Sequence, residues 1–136
     1  KKFIGKGKIL KKGKRIAFLN LGTRLKKVLE INEMIKNHHK LNCTVVDMRF
    51  AKPIDTKLIQ NLNKTHDIFI TIEENAIGGF SSQVNDLLIN KLNKTPKILN
   101  FFMKDEFIDQ SDIDDQYNKS GISKELIFDK VSMLLK

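Results

Sequence analysis

The sequence holds one cysteine, two prolines, three arginines and no apolar run longer than the four residues Ile16 to Leu19. Each scarcity excludes something. A membrane helix needs roughly 20 apolar residues in succession, so the sequence predicts a soluble chain without a membrane partner. A lone Cys43 has no internal disulfide partner, and its place in an apolar run predicts a buried, inert thiol. Few prolines, with 40% hydrophobic residues, exclude a disordered chain. The net charge of +9 invites a nucleic-acid reading, but 22 of the 25 cations are lysine, whereas bidentate phosphate and base contacts favour arginine. Nucleic acid is therefore not an expected partner. Absent too are the GxSxG elbow, the GxGxxG and GxxxxGK[ST] phosphate loops, and any Cys/His/Asp cluster with metal-ligand spacing.

What is present fits one domain, residues 1–136, with a modest core. The sequence starts at Lys1 with no initiator Met and no signal-like segment, which leads us to expect a piece of something longer. Charge is uneven: residues 1–52 carry 15 cations against 3 acids, while 105–125 carry 7 acids against 2 cations. That asymmetry favours a partner surface or self-association. The richness in Lys, Asn and Ile is the mark of an AT-rich coding sequence, compatible with a bacterial cytoplasm or a plastid-type organelle.

Ile9-Leu10, a turn carrying Gly13, and RIAFLNL (15–21) predict two strands joined as an antiparallel hairpin. The period then changes to helical, from Leu25 to about Asn37, with Thr23 placed to cap the first turn. CTVVDM (43–48) predicts a strand, Asp55 the cap of a short helix facing inward with Leu58, Ile59 and Leu62, and DIFITIE (67–73) a buried strand. After Gly79, Phe80, Val84, Leu87, Leu88 and Leu92 share one helical face. KILNFF (97–102) is the last strand, followed by a helix from Ser111 to Gly121 and another capped by Ser123, with Ile127, Val131, Leu134 and Leu135 inward. Strands apolar on both faces alternating with amphipathic helices imply an α/β fold. We expect a three-layer α/β/α unit with a five-stranded mixed, mostly parallel sheet and one antiparallel edge strand from the N-terminal hairpin.

In such sheets ligands and partners gather at the carboxyl ends of the strands. There stand Gly22, Thr23 and Arg24; then Asp47, Arg49, Lys52 and Asp55; then Glu73, Glu74, Gly78 and Gly79; and lastly Lys104 to Glu106 with Asp109. Gly22-Thr23 at a helix start is a weak anion-site candidate, since most such turns are only caps. Glu73 and Glu74, adjacent on a strand, point opposite ways and do not share one substrate atom. An ion pair of one of them with Arg49 or Lys52 is expected, and Gly78-Gly79 is read as backbone freedom for a turn that side chains would resist. His38-His39 suit a helix end, and His66 is expected to cap or pair locally.

The strings DMRFAKPID (47–55), TH (65–66), TIEENAIGGFSSQV (71–84) and FID (107–109), with Tyr117 and Gly121, closely resemble the C-terminal domains of 1-deoxy-D-xylulose-5-phosphate synthases. The shorter RxxKPxD and EE-x(3)-GG patterns are shared with transketolase-like C-terminal domains generally, including β subunits of 2-oxo-acid dehydrogenases. The sequence departs from the family pattern at Lys104 and at Gln110-Ser111, which stand where members carry Pro and His-Gly. The resemblance implies a thiamine diphosphate- and Mg²⁺-dependent enzyme that decarboxylates pyruvate and joins the remaining two carbons to glyceraldehyde 3-phosphate, in non-mevalonate isoprenoid synthesis. It also implies that the cofactor motif and the activating glutamate lie on the N-terminal and middle domains, so that neither Glu73 nor Glu74 inherits a catalytic role. The fragment alone is then expected to bind no cofactor or metal, to be inactive, and to serve as a scaffold within a homodimer. The interface candidates are Asp47, Arg49, Lys52, Asp55, Glu73, Glu74, Gly78 and Gly79. Two alternatives stay open: a dehydrogenase β-subunit domain, and a free-standing anion-binding regulatory domain using Gly22, Thr23 and Arg24.

Overall fold

The computed structural model describes residues 5–50, 53–74, 79–103 and 123–136. The elements run β1 (Lys8–Lys11), β2 (Arg15–Leu21), α1 (Leu25–His39), β3 (Thr44–Asp47), α2 (Thr56–Asn63), β4 (His66–Glu74), α3 (Phe80–Asp86) with a π-helical turn over Leu87–Lys91, β5 (Lys97–Met103) and α4 (Lys124–Leu134). The expected helix over 111–121 lies outside the described residues, as do Lys52, Gly78 and the 104–109 cluster.

One five-stranded sheet has the order β1-β3-β2-β4-β5. β2, β3, β4 and β5 are mutually parallel where they pair, and β1 lies antiparallel at the edge. The mixed sheet and the antiparallel edge strand match expectation; the hairpin does not. β1 pairs with β3, not with β2: Ile9 stands opposite Val46 and Lys11 opposite Val45, across an irregularity. The physical reason lies at Gly13. Its N–H donates to Thr44 Oγ1 at 3.0 Å and Lys14 N–H donates to Asn42 O at 2.9 Å, so the connection runs across the start of β3. A Cβ at Gly13 would meet Asn42 O at 2.1 Å, so glycine serves close passage, not a tight reversal.

Alternation along the strands divides the interior into two cores. Ile16, Phe18, Val45, Ile68, Ile70 and Ile72 face α1 and α4, where Val28, Ile31, Ile35, Ile127 and Val131 meet them. Ala17, Leu19, Val46 and Phe69 face the other way, onto Ile59 and Leu62 of α2 and Phe80, Val84, Leu87 and Leu88 of α3 and its π turn. Full burial of each such Ile, Leu or Phe contributes about 1.5–3 kcal/mol, so the two layers of helices are held by burial rather than by their caps. The caps still set where helices begin. Asp55 accepts from Leu58 N–H and Ser123 from Leu126 N–H, both at 3.2 Å and both as expected. Cys43 is fully buried, and burial pushes its thiol up to about 12, which keeps it protonated. His66 is buried and bonded to Leu62 O and the Thr65 and Thr44 hydroxyls.

Candidate functional site

Because β3, β2 and β4 run parallel and adjacent, their carboxyl ends share one rim: Asn20 is level with Asp47, and Leu21 with Glu73. The expected gathering of Gly22, Thr23, Arg24, Asp47, Arg49, Glu73 and Glu74 is therefore present. Their pairings differ from expectation.

Glu73 and Glu74 point to opposite faces of the sheet, as strand alternation requires. Glu73, 3% exposed, turns toward α3 and accepts from Ser81 N–H at 2.8 Å. Burial holds its carboxyl above the usual range, and the Ser81 bond offsets part of that rise. Glu74 turns toward α1. Its Oε1 accepts from Thr23 N–H at 2.9 Å and from the Thr23 hydroxyl, and Arg24 Nε stands at 3.5 Å. In place of the ion pair expected to Arg49, Glu74 makes one to Arg24, because β4 ends beside the start of α1; the expected alternative, Lys52, lies outside the described residues. Thr23 correspondingly does not cap α1 with its side chain; Arg24 occupies the cap position without a side-chain bond there. Where an external anion could have sat, at Gly22-Thr23-Arg24, the chain's own Glu74 carboxylate sits instead. Gly22 is needed: its φ is +121°, and a Cβ would lie 3.0 Å from Glu74 Cγ and Cδ.

Arg49 finds its carboxylate locally. Asp47 Oδ1 accepts from Arg49 N–H at 3.2 Å, and Asp47 Oδ2 is 3.8 Å from Arg49 Nε. Arg49 has φ +64°, and Phe50 N–H donates to Met48 O at 2.6 Å across it. This three-residue turn is rare and strained for a residue with a side chain. Asp55 couples the rim to the N-terminal segment: besides capping α2, its Oδ2 accepts from Gly7 N–H at 3.0 Å. Gly79 has φ −74° with nothing within 4 Å of a built Cβ, so the backbone freedom expected there is not required.

Sequence reasoning missed two rim residues. Ser81 fixes Glu73, with no signal beyond its place after the glycines. Asn20 is fully buried with Oδ1 lacking a hydrogen-bond partner among the described residues, and Arg49 Nε lacks one too, Asp47 Oδ2 at 3.8 Å being beyond hydrogen-bond reach; the only signal was one polar residue interrupting RIAFLNL. Among the described residues no group of three or more His, Cys, Asp or Glu side chains could hold a metal ion, and no helix is long and apolar enough to cross a membrane. Among the described residues the donor set here does not fit Mg²⁺.

The family model for the transketolase C-terminal domain matches residues 5–127. The chain belongs to the transketolase C-terminal domain family. It is 43% identical over 129 residues to the 1-deoxy-D-xylulose-5-phosphate synthase of Haemophilus influenzae, covering 94% of this chain and 20% of that protein. The synthase of Proteus mirabilis is 49% identical over 108 residues, 79% of this chain and 16% of the relative. This transketolase C-terminal domain thus spans about 20% or less of the length of these relatives. Among solved structures, a split-gene transketolase described as an inactive beta4 tetramer superposes with TM-score 0.79 at 28% identity, over 95% of this chain and 42% of that one. The transketolase of Campylobacter jejuni, at TM-score 0.63 and 15% identity over 95% of this chain and 18% of its own, shares the fold.

Proposed function

We propose that this domain is the C-terminal assembly module of a thiamine diphosphate- and Mg²⁺-dependent 1-deoxy-D-xylulose-5-phosphate synthase, acting in the bacterial cytoplasm. In that enzyme the rim docks onto the thiamine-binding domains within a homodimer. The observation that carries the reading is unspent polar capacity on the rim: among the described residues Asn20 Oδ1 and Arg49 Nε are buried without hydrogen-bond partners, beside a strained Arg49 turn and a buried Glu73 carboxylate. Buried polar groups normally have partners, and their lack is costly unless something else supplies them. The likeness to synthases at 43–49% identity supports the particular reaction, condensation of pyruvate with glyceraldehyde 3-phosphate. Cofactor and metal belong, on this reading, to the rest of the enzyme.

Arg49→Gly tests the proposal because it separates stability from assembly. Glycine accepts φ +64°, and that relief offsets the lost packing and Asp47 pairing of the side chain, so the isolated chain should stay within about 1 kcal/mol of wild type. In the full-length enzyme the same change should lower dimer mass in sedimentation and, with it, glyceraldehyde-3-phosphate-dependent CO₂ release from pyruvate. An unaltered dimer with full activity would refute the docking role. CO₂ release that needs a lipoyl acceptor in place of glyceraldehyde 3-phosphate would point to a dehydrogenase instead.

A further inference from the structure

Arginine is scarce in this chain, and two of its three copies stand on the rim as neighbours of Glu74 and Asp47. The third, Arg15, stands at the opposite end of the strands, where β2 begins and α1 ends. Its backbone repeats the unusual turn of Arg49: φ is +69°, and Ile16 N–H donates to Lys14 O at 2.8 Å across it. Lys40, which closes α1, is left-handed as well, at φ +56°. Arg15, His39 and Lys40, with Leu41 and Leu135 as apolar walls, line a cleft of about 160 Å³. Among the described residues no carboxylate lines it. The nearest acid paired with Arg15 is Asp67, whose Oδ2 lies 3.8 Å from Nη2, beyond hydrogen-bond reach, so the guanidinium fork is not closed by it.

We infer that this cleft binds a phosphate monoester, with Arg15 as the bidentate donor and Lys40 as the second cation. A guanidinium offers two parallel N–H donors that match phosphate oxygens, which lysine cannot reproduce. In a chain that otherwise places lysine wherever a surface cation will do, an arginine held on a strained turn beside a second left-handed cation marks a position where geometry matters. His39 Nε2 is already bonded to Ser132 Oγ at 2.8 Å, which fixes the ring at the cleft edge. The cleft size suits one phosphate group with a short organic tail lying on Leu41 and Leu135. A small phosphorylated metabolite and a phospholipid headgroup share that chemistry; the small volume between Leu41 and Leu135 favours the metabolite.

The test is an NMR titration of the isotope-labelled chain with inorganic phosphate and with glycerol phosphate, against chloride at equal ionic strength. Saturable shifts centred on Arg15, Lys40 and Leu135 are expected. Arg15→Lys should weaken binding by about 10- to 100-fold, the loss expected for charge-assisted bonds. Lys40→Gly suits the left-handed backbone, so the fold persists, and it should weaken binding too. Asp67→Asn should tighten it by removing the competing carboxylate. Shifts that never saturate, that spread over the whole basic surface, or that survive Arg15→Lys and Lys40→Gly unchanged overturn the site. Capture on phosphatidic acid vesicles with no response to glycerol phosphate overturns the metabolite as its source.

Discussion

Two glycines of this chain look alike in the sequence and are opposites in the structure. Gly22→Ala places a methyl against Glu74 on a backbone at φ +121°, and should cost about 1–3 kcal/mol in urea unfolding. Gly79→Ala meets open space at φ −74° and should be neutral or stabilise by up to about 1 kcal/mol. Glu74→Ala removes the acceptor of the Thr23 N–H and hydroxyl and the partner of Arg24. Since that carboxylate is partly exposed, a loss of about 1–2 kcal/mol is expected, with faster hydrogen exchange at the Thr23 amide.

Two buried titratable groups pull stability in ways pH can separate. Burial lowers the His66 pKa, so the folded state resists a proton that the unfolded chain accepts near 6.5. Stability should therefore fall as pH drops below about 6.5, and His66→Gln should flatten that slope. Burial raises the Glu73 pKa above 4.5, so between 4.5 and its folded value the native state binds the extra proton. Stability contributed there is lost as pH rises, and Glu73→Gln, which keeps an acceptor for Ser81 N–H, should raise the melting temperature at neutral pH. A variant no more stable than wild type at pH 7 would show that the carboxylate is not penalised.

Among the elements, α2 has its first turn tied at both ends of one carboxylate. Asp55→Ala loses the cap to Leu58 and the bond to Gly7, and should cost about 2 kcal/mol while exposing the Gly7 amide to exchange. Helix and strand positions were legible in the sequence wherever period and cap agreed: RIAFLNL is β2 to the residue, and Ser123 and Asp55 cap as their residue types require. Strand partnership was not. Ile9-Leu10 with a following glycine reads locally as a hairpin, but pairing is decided by which neighbour buries Ile9, and that is Val46, far along the chain. The rim pairs were hidden for the same reason. Periodicity placed Glu73 and Glu74 on opposite faces correctly, whereas the proximity of Thr23 and Arg24 depends on β2 lying directly beside β4.

At the scale of the whole molecule, four parallel strands impose a polarity: acidic and basic side chains interlock at the carboxyl ends, and a basic cleft lies at the amino ends. That a common rim exists follows from strand direction alone and was legible in the sequence. Which atoms lack a hydrogen-bond partner among the described residues was not, because Asn20 and Arg49 acquire that status only through burial.

The edge position of β1 has a consequence for synthesis. Lys11 emerges 33 residues ahead of Thr44, where its neighbouring strand begins, an interval of roughly two to seven seconds at ordinary ribosomal rates. Throughout that wait KILKKGK is an orphan segment with nothing to zip against. Its lysines, needless for packing, keep it from adhering to its own kind until the third strand arrives.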